Sequence, residues 1–285
     1  MPRNPFRFIK DPHEKQRPFP TDPAEKAGLA NALGAVGLVG HLELDVHRQG
    51  RLGRWHDDHI DCGYGTVTNA GVNLLVNDAL DWALGSSLAD LLYHASGTGA
   101  TASAAADYNL QTAIGSGSLT GSTNGYFTGT GVVVAPNIFR TAATMVYSAT
   151  GPTAVTEWII ANANGAQIAS TFTGTTVNSG TVSGAPFAGS NGNQGWTAEI
   201  GGPINTPTTT VMGLVTASST TVITLGVLLA GGWSTLANAN PASTPGNVAF
   251  VLNPTAFDHL VFAAVNVYVG DSISPTFSLS LSSGG

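Results

Sequence analysis

The stretch His41-Leu-Glu-Leu-Asp-Val-His47 decides the fold class of this chain, because it alternates strictly between polar and apolar side chains. A period of two is that of a β-strand with one buried face. Residues 48–51 have the composition of a turn, in which Gly50 can adopt a positive φ. Residues 52–62 then predict a second strand, so this part of the chain is expected to form a β-hairpin.

From Leu91 onward, short β-runs alternate with loops rich in Gly, Ser, Thr and Asn. The predicted strands are 91–95, 132–135, 139–148, 154–161, 168–172, 208–216, 220–229, 248–252, 259–267 and 272–282. Residues 174–207 and 231–247 are expected to be long loops. Many short, regularly spaced strands are typical of a mainly β fold, here an antiparallel β-sandwich or jelly-roll body.

One segment, residues 68–84, has the pattern of a helix instead. Thr68 is a predicted N-cap, and Gly85 is a predicted stop. Between them, apolar residues recur at the spacing of one helix face. They are Val72, Leu75, Ala79 and Trp82. We therefore expect one main helix in an otherwise β protein.

The chain begins with a proline-rich segment. Residues 1–26 contain Pro2, Pro5, Pro12, Pro18, Pro20 and Pro23. Proline fixes φ and removes a backbone donor, so an extended conformation is expected. The aromatic residues Phe6, Phe8 and Phe19 favour an arm that binds something, with a disordered tail as the alternative. We interpret residues 1–40 as an extended N-terminal anchoring arm, and the apolar segment 27–40 as part of the mature protein rather than a signal peptide.

The charges are few and unevenly placed. Charged residues make up 9% of the chain, against about 25% in ordinary soluble domains, and the formal net charge is −7. Nine of the ten basic residues precede residue 55, and Arg140 alone follows. An acidic body lacks the clustered Lys and Arg that phosphate contacts need, so nucleic acid is an unlikely partner. No apolar run spans a membrane, and the single cysteine, Cys62, allows no intrachain disulfide.

The densest polar cluster is His56-Asp-Asp-His-Ile-Asp-Cys62. In a strand, Asp57, His59 and Asp61 share one face and could converge on a metal ion. Their spacing matches no standard metal motif, so a solvated hairpin edge is the preferred interpretation. The prediction is that the chain has no metal site and no cofactor.

Catalytic constellations are also weak. No Gly-x-Ser-x-Gly elbow occurs between a strand and a helix, and no phosphate-binding loop is present. The pair Asp258-His259 could orient a serine, and a glycosidase would have to draw its two carboxylates from Glu157, Glu199, Asp258 and Asp271. We expect no catalytic residues and no enzymatic activity. Trp158, Trp196 and Trp233 are interpreted as plugs over a core, with sugar stacking or a subunit interface as the alternative.

Four blocks of sequence, in this order, resemble a family of virion structural proteins encoded by tailed bacteriophages and prophages. The blocks are Gly65-Thr-Val-Thr-Asn-Ala-Gly-Val-Asn-Leu-Leu75; Tyr93-His-Ala-Ser-Gly-Thr-Gly-Ala-Thr-Ala102 with residues 106–112; Phe139-Arg-Thr-Ala-Ala-Thr144 with residues 154–159; and Val261-Phe-Ala-Ala-Val-Asn-Val-Tyr-Val-Gly-Asp-Ser-Ile273. The resemblance covers about 150 residues, and residues 165–257 are longer than the turn expected there. It implies residues 41–164 and 258–285 forming one sandwich, with residues 165–257 as a β-rich insertion.

The resemblance also implies a function. A structural role in the phage particle is expected, as a capsid-associated, decoration or minor virion protein made in the host cytoplasm. The partners would be major capsid or tail subunits, contacted through the arm, and a symmetric homo-oligomer is expected, with a trimer as the first guess. The alternative is a tail, baseplate or receptor-binding fibre protein. Within the body, Arg140 and Glu157 lie in neighbouring predicted strands and are expected to form a cross-strand pair.

Overall fold

The computed structural model describes residues 37–50, 53–72, 74, 90–105, 107, 109–135, 138–149, 153–176, 179–182, 185–190, 192–203, 211–230 and 248–282. These residues contain eighteen strands, and every pair of neighbouring strands is antiparallel. The strands are β1 (Gly37–Gln49), β2 (Trp55–Tyr64), β3 (Thr66–Val67), β4 (Tyr93–Gly97), β5 (Leu119–Thr120), β6 (Tyr126–Thr128), β7 (Thr130–Ala135), β8 (Ile138–Ala142), β9 (Met145–Tyr147), β10 (Thr153–Ala161), β11 (Ile168–Thr176), β12 (Ser179–Val182), β13 (Thr197–Pro203), β14 (Val211–Ser218), β15 (Val222–Ala230), β16 (Val248–Asn253), β17 (Ala256–Val267) and β18 (Ser272–Ser282). The prediction of a mainly β, antiparallel body is confirmed.

Two sheets form the body. Sheet A has seven strands in the order β2-β1-β18-β8-β7, with β9 paired to β18 and β5 paired to β9. Sheet B has five strands in the order β3-β17-β10-β4-β6. The alternation read from residues 41–47 places Leu42, Leu44 and Val46 in the core, because each is at most 2% exposed. The polar residues between them face outward, as a period of two requires.

The main core lies between these sheets. Sheet A contributes residues of β1, β9 and β18, and sheet B contributes residues of β10 and β17. Trp158 of β10 and Tyr147 of β9 are the largest fully buried side chains of the core. Fully burying an aromatic or branched side chain stabilises the fold by about 1.5–3 kcal/mol, so this cluster supplies the main driving force for the sandwich.

The residues between β10 and β17 form a closed barrel, with strand order β11-β12-β15-β14-β13-β16. Its core contains Trp196, Ile223 and Leu252. The barrel starts and ends at two neighbouring strands of sheet B, where Ala161 pairs with Ala256. Leu214 of β14 joins the core of the sandwich, so the barrel packs against the body.

Buried polar groups connect the barrel to the sandwich. The backbone N–H of Thr255 donates to Oδ1 of Asn162 at 2.8 Å, and Nδ2 of Asn162 donates to the Gly195 carbonyl at 3.0 Å. The hydroxyl of Thr255 bonds to Thr197 at 2.8 Å. We call Asn162, Gly195, Thr197 and Thr255 the neck. These groups are buried and hydrogen-bonded to one another. They therefore fix the positions of the two segments that join the sandwich to the barrel, one after β10 and one before β17.

The predicted helix begins where the sequence places it. Thr68 is the N-cap, because its Oγ1 accepts a hydrogen bond from the Gly71 N–H at 2.8 Å. The same hydroxyl donates to the Ala256 carbonyl at 2.6 Å, which ties the helix start to β17. Residues 69–72 and 74 are helical. The remaining predicted helix residues and the stop at Gly85 lie outside the described residues, as does the proline-rich segment 1–26.

Several boundaries differ from the predictions. The predicted strand 139–148 is two strands, β8 and β9, because the chain leaves the β18 pairing of β8 at residues 143–144 and resumes it in β9. The predicted loop 174–207 contains β12 and β13, whose Gly- and Thr-rich sequences hide a strand pattern. The last residues assigned to the arm, from Gly37, belong to β1. In the hairpin, Gly53 and not Gly50 has a positive φ, of 71°.

Candidate functional site

The outer face of the β1–β2 hairpin carries a ladder of histidine–aspartate pairs. His41 contacts Asp61 at 2.9 Å, and His59 contacts Asp45 at 2.7 Å. His47 contacts Asp57 and also stacks on Trp55, with ring centroids 4.4 Å apart. The sequence predicts one half of this ladder, Asp57, His59 and Asp61 on one face of β2, but not their partners on β1. Each histidine has a carboxylate partner directly across or diagonally across the pair of strands.

The ladder is a set of pairs rather than one converging cluster. The hydrogen bond and the charge of Asp45 raise the pKa of His59, which is exposed. Among the described residues, no group of three or more His, Cys, Asp or Glu side chains is arranged to hold a metal ion. Pairs of this kind on an exposed surface contribute little to stability, about 0–1 kcal/mol each. What the ladder does is make one edge of sheet A hydrophilic.

The most organised polar site is a buried carboxylate, Glu157 of β10. Its Oε1 accepts the N–H groups of Gly99 at 2.8 Å and Thr112 at 2.7 Å. Its Oε2 accepts the N–H of Gln111 at 2.9 Å and a ring nitrogen of His259 at 3.1 Å. Four donors therefore hold one side chain that has no solvent exposure. The predicted pair with Arg140 is wrong, since Arg140 is exposed and bonds to Ser278 at 3.3 Å.

His259 of β17 lies between two carboxylates. Its Nε2 bonds to Glu157 and its Nδ1 bonds to Asp107 at 2.7 Å. Burial alone would lower the pKa of His259, but the hydrogen bonds to Glu157 and Asp107 outweigh burial and raise it. Burial would raise the pKa of Glu157, but the four hydrogen bonds it accepts lower it. Both shifts favour the charged forms, an imidazolium and a carboxylate. We call Asp107, Glu157 and His259 the clamp.

The clamp organises the loop that follows β4. Gly97 and Gly99 have no room for a side chain, because a Cβ atom would lie 2.3 Å and 2.6 Å from Oε1 of Glu157. The two glycines let the backbone approach the carboxylate, and the loop then returns through Gln111 and Thr112. The sequence contained two signals of this site, since Glu157 stood out as the partner expected for Arg140 and His259 stood out beside Asp258 as a group that could orient a serine. Asp107 carried none.

The clamp is not arranged for nucleophilic or acid–base catalysis. Both ring nitrogens of His259 are engaged by carboxylates, so neither can accept a proton from a serine hydroxyl. The other acids considered for a glycosidase are dispersed. Asp271 accepts the Tyr268 N–H at 3.0 Å in the turn before β18, and Asp258 is buried in β17. Glu199 lies on barrel strand β13.

The tryptophans are accounted for by packing where the structure describes them. Trp158 and Trp196 are 2% and 6% exposed, and they belong to the cores of the sandwich and the barrel. Neither ring is open to a ligand, so the plug interpretation is confirmed for both. Trp233 lies outside the described residues.

The two edges of sheet A differ in chemistry. The β2 edge carries the histidine–aspartate ladder, whereas the β7 edge carries Val132, Val133 and Val134, which are 54%, 70% and 49% exposed. Among the described residues, β7 pairs on one side alone, with β8. Within the described part of the chain, no strand pairs with the other side of β7, and its three valines lie exposed there. Such an edge is a template for pairing with another chain.

Comparison with known proteins adds no relative: no family model, no curated protein and no solved structure matches this chain. Among the described residues, no helix is long and apolar enough to cross a membrane.

Proposed function

We propose that this chain is a structural, non-enzymatic subunit of a tailed-phage particle, a capsid-associated, decoration or minor virion protein that binds neighbouring subunits. The sequence blocks that resemble virion proteins motivate the proposal, and the exposed valine edge of β7 is the observation that carries it. The role requires a surface that binds another chain without relying on many charges.

The β7 edge meets that requirement. Every residue from Thr130 to Val134 is exposed, so neither face of this strand is covered within the described part of the chain. Proteins commonly protect an exposed edge strand from pairing with another chain by placing charged side chains on it, and the histidine–aspartate ladder of β2 is an example. An edge of three valines left without charges favours pairing with a strand of a neighbouring subunit, in which backbone hydrogen bonds supply affinity and valine packing supplies fit.

The sparse charge of the whole chain supports the same conclusion. With nine of ten basic residues before residue 55, the body has few cations for salt bridges with acidic neighbours. Attachment through the body would depend on burial of small apolar side chains, at roughly 25 cal/mol per Å². Such burial is insensitive to salt, unlike exposed ion pairs, which are screened over about 10 Å at 0.1 M salt.

The test is the change Val133→Lys in the full chain, supplied as the sole copy during particle assembly. A lysine on an edge strand opposes pairing with a second strand. Val133 is 70% exposed, so the fold should be unaffected. We expect the number of copies per purified particle, measured by quantitative mass spectrometry, to fall about tenfold, which corresponds to about 1.4 kcal/mol of binding free energy.

The matched control is Val269→Lys, the same chemical change at a 60% exposed valine in the turn between β17 and β18. This variant should be incorporated at the wild-type level. Equal incorporation of the Val133→Lys and wild-type chains would eliminate the β7 edge as the attachment surface. Absence of the wild-type chain from purified particles would eliminate the virion role itself.

A further inference from the structure

A cavity of about 280 Å³ lies on the outer face of sheet B, where the sandwich meets the barrel. Its apolar wall includes Leu110 and Ile114 from the loop that the clamp organises. Tyr126 of β6 contributes an aromatic ring, and Gln167 comes from the segment that leads into the barrel. The cavity therefore forms because the barrel packs against the sandwich. No sequence motif predicted it.

Side-chain amides dominate the polar part of the wall. Oδ1 of Asn253 accepts Nδ2 of Asn109 and Nε2 of Gln167, each at 3.1 Å. Asn253 is 1% exposed, and its Nδ2 has no hydrogen-bond partner among the described residues. Asn124 adds a fourth amide at the opening.

Among the lining residues that the structure describes, none is a Lys, Arg, His, Asp or Glu. Burial raises the pKa of Tyr126 to about 12, so its phenol stays neutral at physiological pH. A charged ligand would find no counter-ion here and would lose its hydration. The occupant that suits the cavity is thus neutral, rich in groups that both donate and accept hydrogen bonds, and small.

We propose that this cavity binds one pyranose ring of a neutral saccharide. The exposed amides of Asn124 and Gln167 lie at the cavity, and an amide carries a donor and an acceptor side by side, which suits the neighbouring hydroxyls of a sugar. The C–H face of a pyranose suits the aliphatic wall that includes Leu110. The volume lies at the low end for ligand pockets, about 300 Å³, so it fits a single ring rather than an oligosaccharide.

The experiment is a saturation-transfer NMR titration of the full chain with the methyl pyranosides of glucose, galactose, mannose and N-acetylglucosamine. We expect at least one of them to bind. Two variants test the location. Gln167→Ala removes an amide on an exposed loop position, and Asn124→Gly removes another while keeping the positive φ of 52° accessible. Each should weaken binding about fivefold, the loss of roughly one hydrogen bond.

Gln49→Ala is the matched control, since Gln49 is exposed on β1 of the other sheet. It should bind like the wild type, and thermal unfolding should show that all variants are folded. Loss of binding in either cavity variant with a normal control supports the proposal. Failure of every pyranoside to bind overturns it, as does wild-type binding by both cavity variants. Binding of N-acetylglycinamide but no pyranoside would mean that the cavity recognises peptide amides, which also overturns it.

Discussion

At the scale of single residues, isolated polar side chains inside apolar strands determine local structure. Glu157 receives four donors and thereby fixes the loop from Gly97 to Thr112. His94 of β4 is different, because it is fully buried with a single bond, to Thr141 at 3.3 Å, and an edge contact with Trp158. Burial lowers the pKa of His94 to about 3, so this ring is neutral in the folded protein.

The neutral His94 should make the protein acid-sensitive. In the unfolded chain its pKa is about 6.5, so the unfolded state binds one more proton than the folded state between pH 6.5 and 3. The free energy of unfolding should therefore fall as pH decreases, by about 1.2 kcal/mol between pH 6 and 5. The pKa values of His59 and His259 are raised in the folded protein. Their contribution to the free energy of unfolding is therefore complete below pH 6.5 and is lost as the pH rises above that value, so it changes little between pH 6 and pH 5.

Urea unfolding at pH 6 and pH 5 measures this dependence. In His94→Gln the difference between the two pH values should largely disappear, whatever the absolute stability of the variant. The exposed His56 provides the control, since His56→Gln should keep the wild-type difference. A pH dependence that survives in His94→Gln would show that another group is responsible.

At the scale of elements, the sequence predicts regular strands well and irregular ones poorly. The hairpin from residue 41, the helix start at Thr68 and the strands around β10, β17 and β18 follow from periodicity and capping chemistry. Strands β12 and β13 were not predicted, because their Gly and Thr content resembles that of a loop. The clamp and the cavity were not predicted for another reason. Both bring together residues more than 40 positions apart, such as Gln111 and Glu157, and a local sequence pattern does not indicate which distant residues come into contact.

The helix start provides a test of how an element is tied to its neighbours. Thr68→Ala removes both the cap to Gly71 and the bond to Ala256, so the free energy of unfolding should fall by about 1–2 kcal/mol. Thr68→Ser keeps the hydroxyl, so its free energy of unfolding should fall by well under half of the decrease expected for Thr68→Ala. Chemical denaturation of the two variants measures the difference, and equal losses would mean that the methyl group, not the hydroxyl, stabilises this site.

At the scale of the whole molecule, the barrel is attached where β10 and β17 already pair. Ala161 and Ala256 face each other at the neck, so the two crossings are as close as the ends of a hairpin. Replacing residues 163–254 with the two-residue turn Asn-Gly should therefore leave sheets A and B able to form. Leu214 would no longer cover the sandwich core, so we expect reduced stability but a single cooperative transition.

Thermal unfolding and one-dimensional NMR of the shortened chain check this expectation. Dispersed methyl signals and one sharp transition would agree with an independent sandwich. A chain without fixed side-chain packing would show that the barrel is required for the sandwich to fold.

The position of β18 has a consequence for how the protein is made. This strand, residues 272–282, is central in sheet A, where it pairs with β1, β8 and β9. On the ribosome, β1 emerges more than 200 residues before the strand it must pair with, as the pairing of Gly37 with Ser282 shows. The apolar face of β1 therefore stays without its partner strand for about 10–50 s, at 5–20 residues per second. Sheet A can therefore close only once residue 282 has left the ribosome, and a nascent chain stalled before β18 should be far more dependent on chaperones than the released chain that contains it.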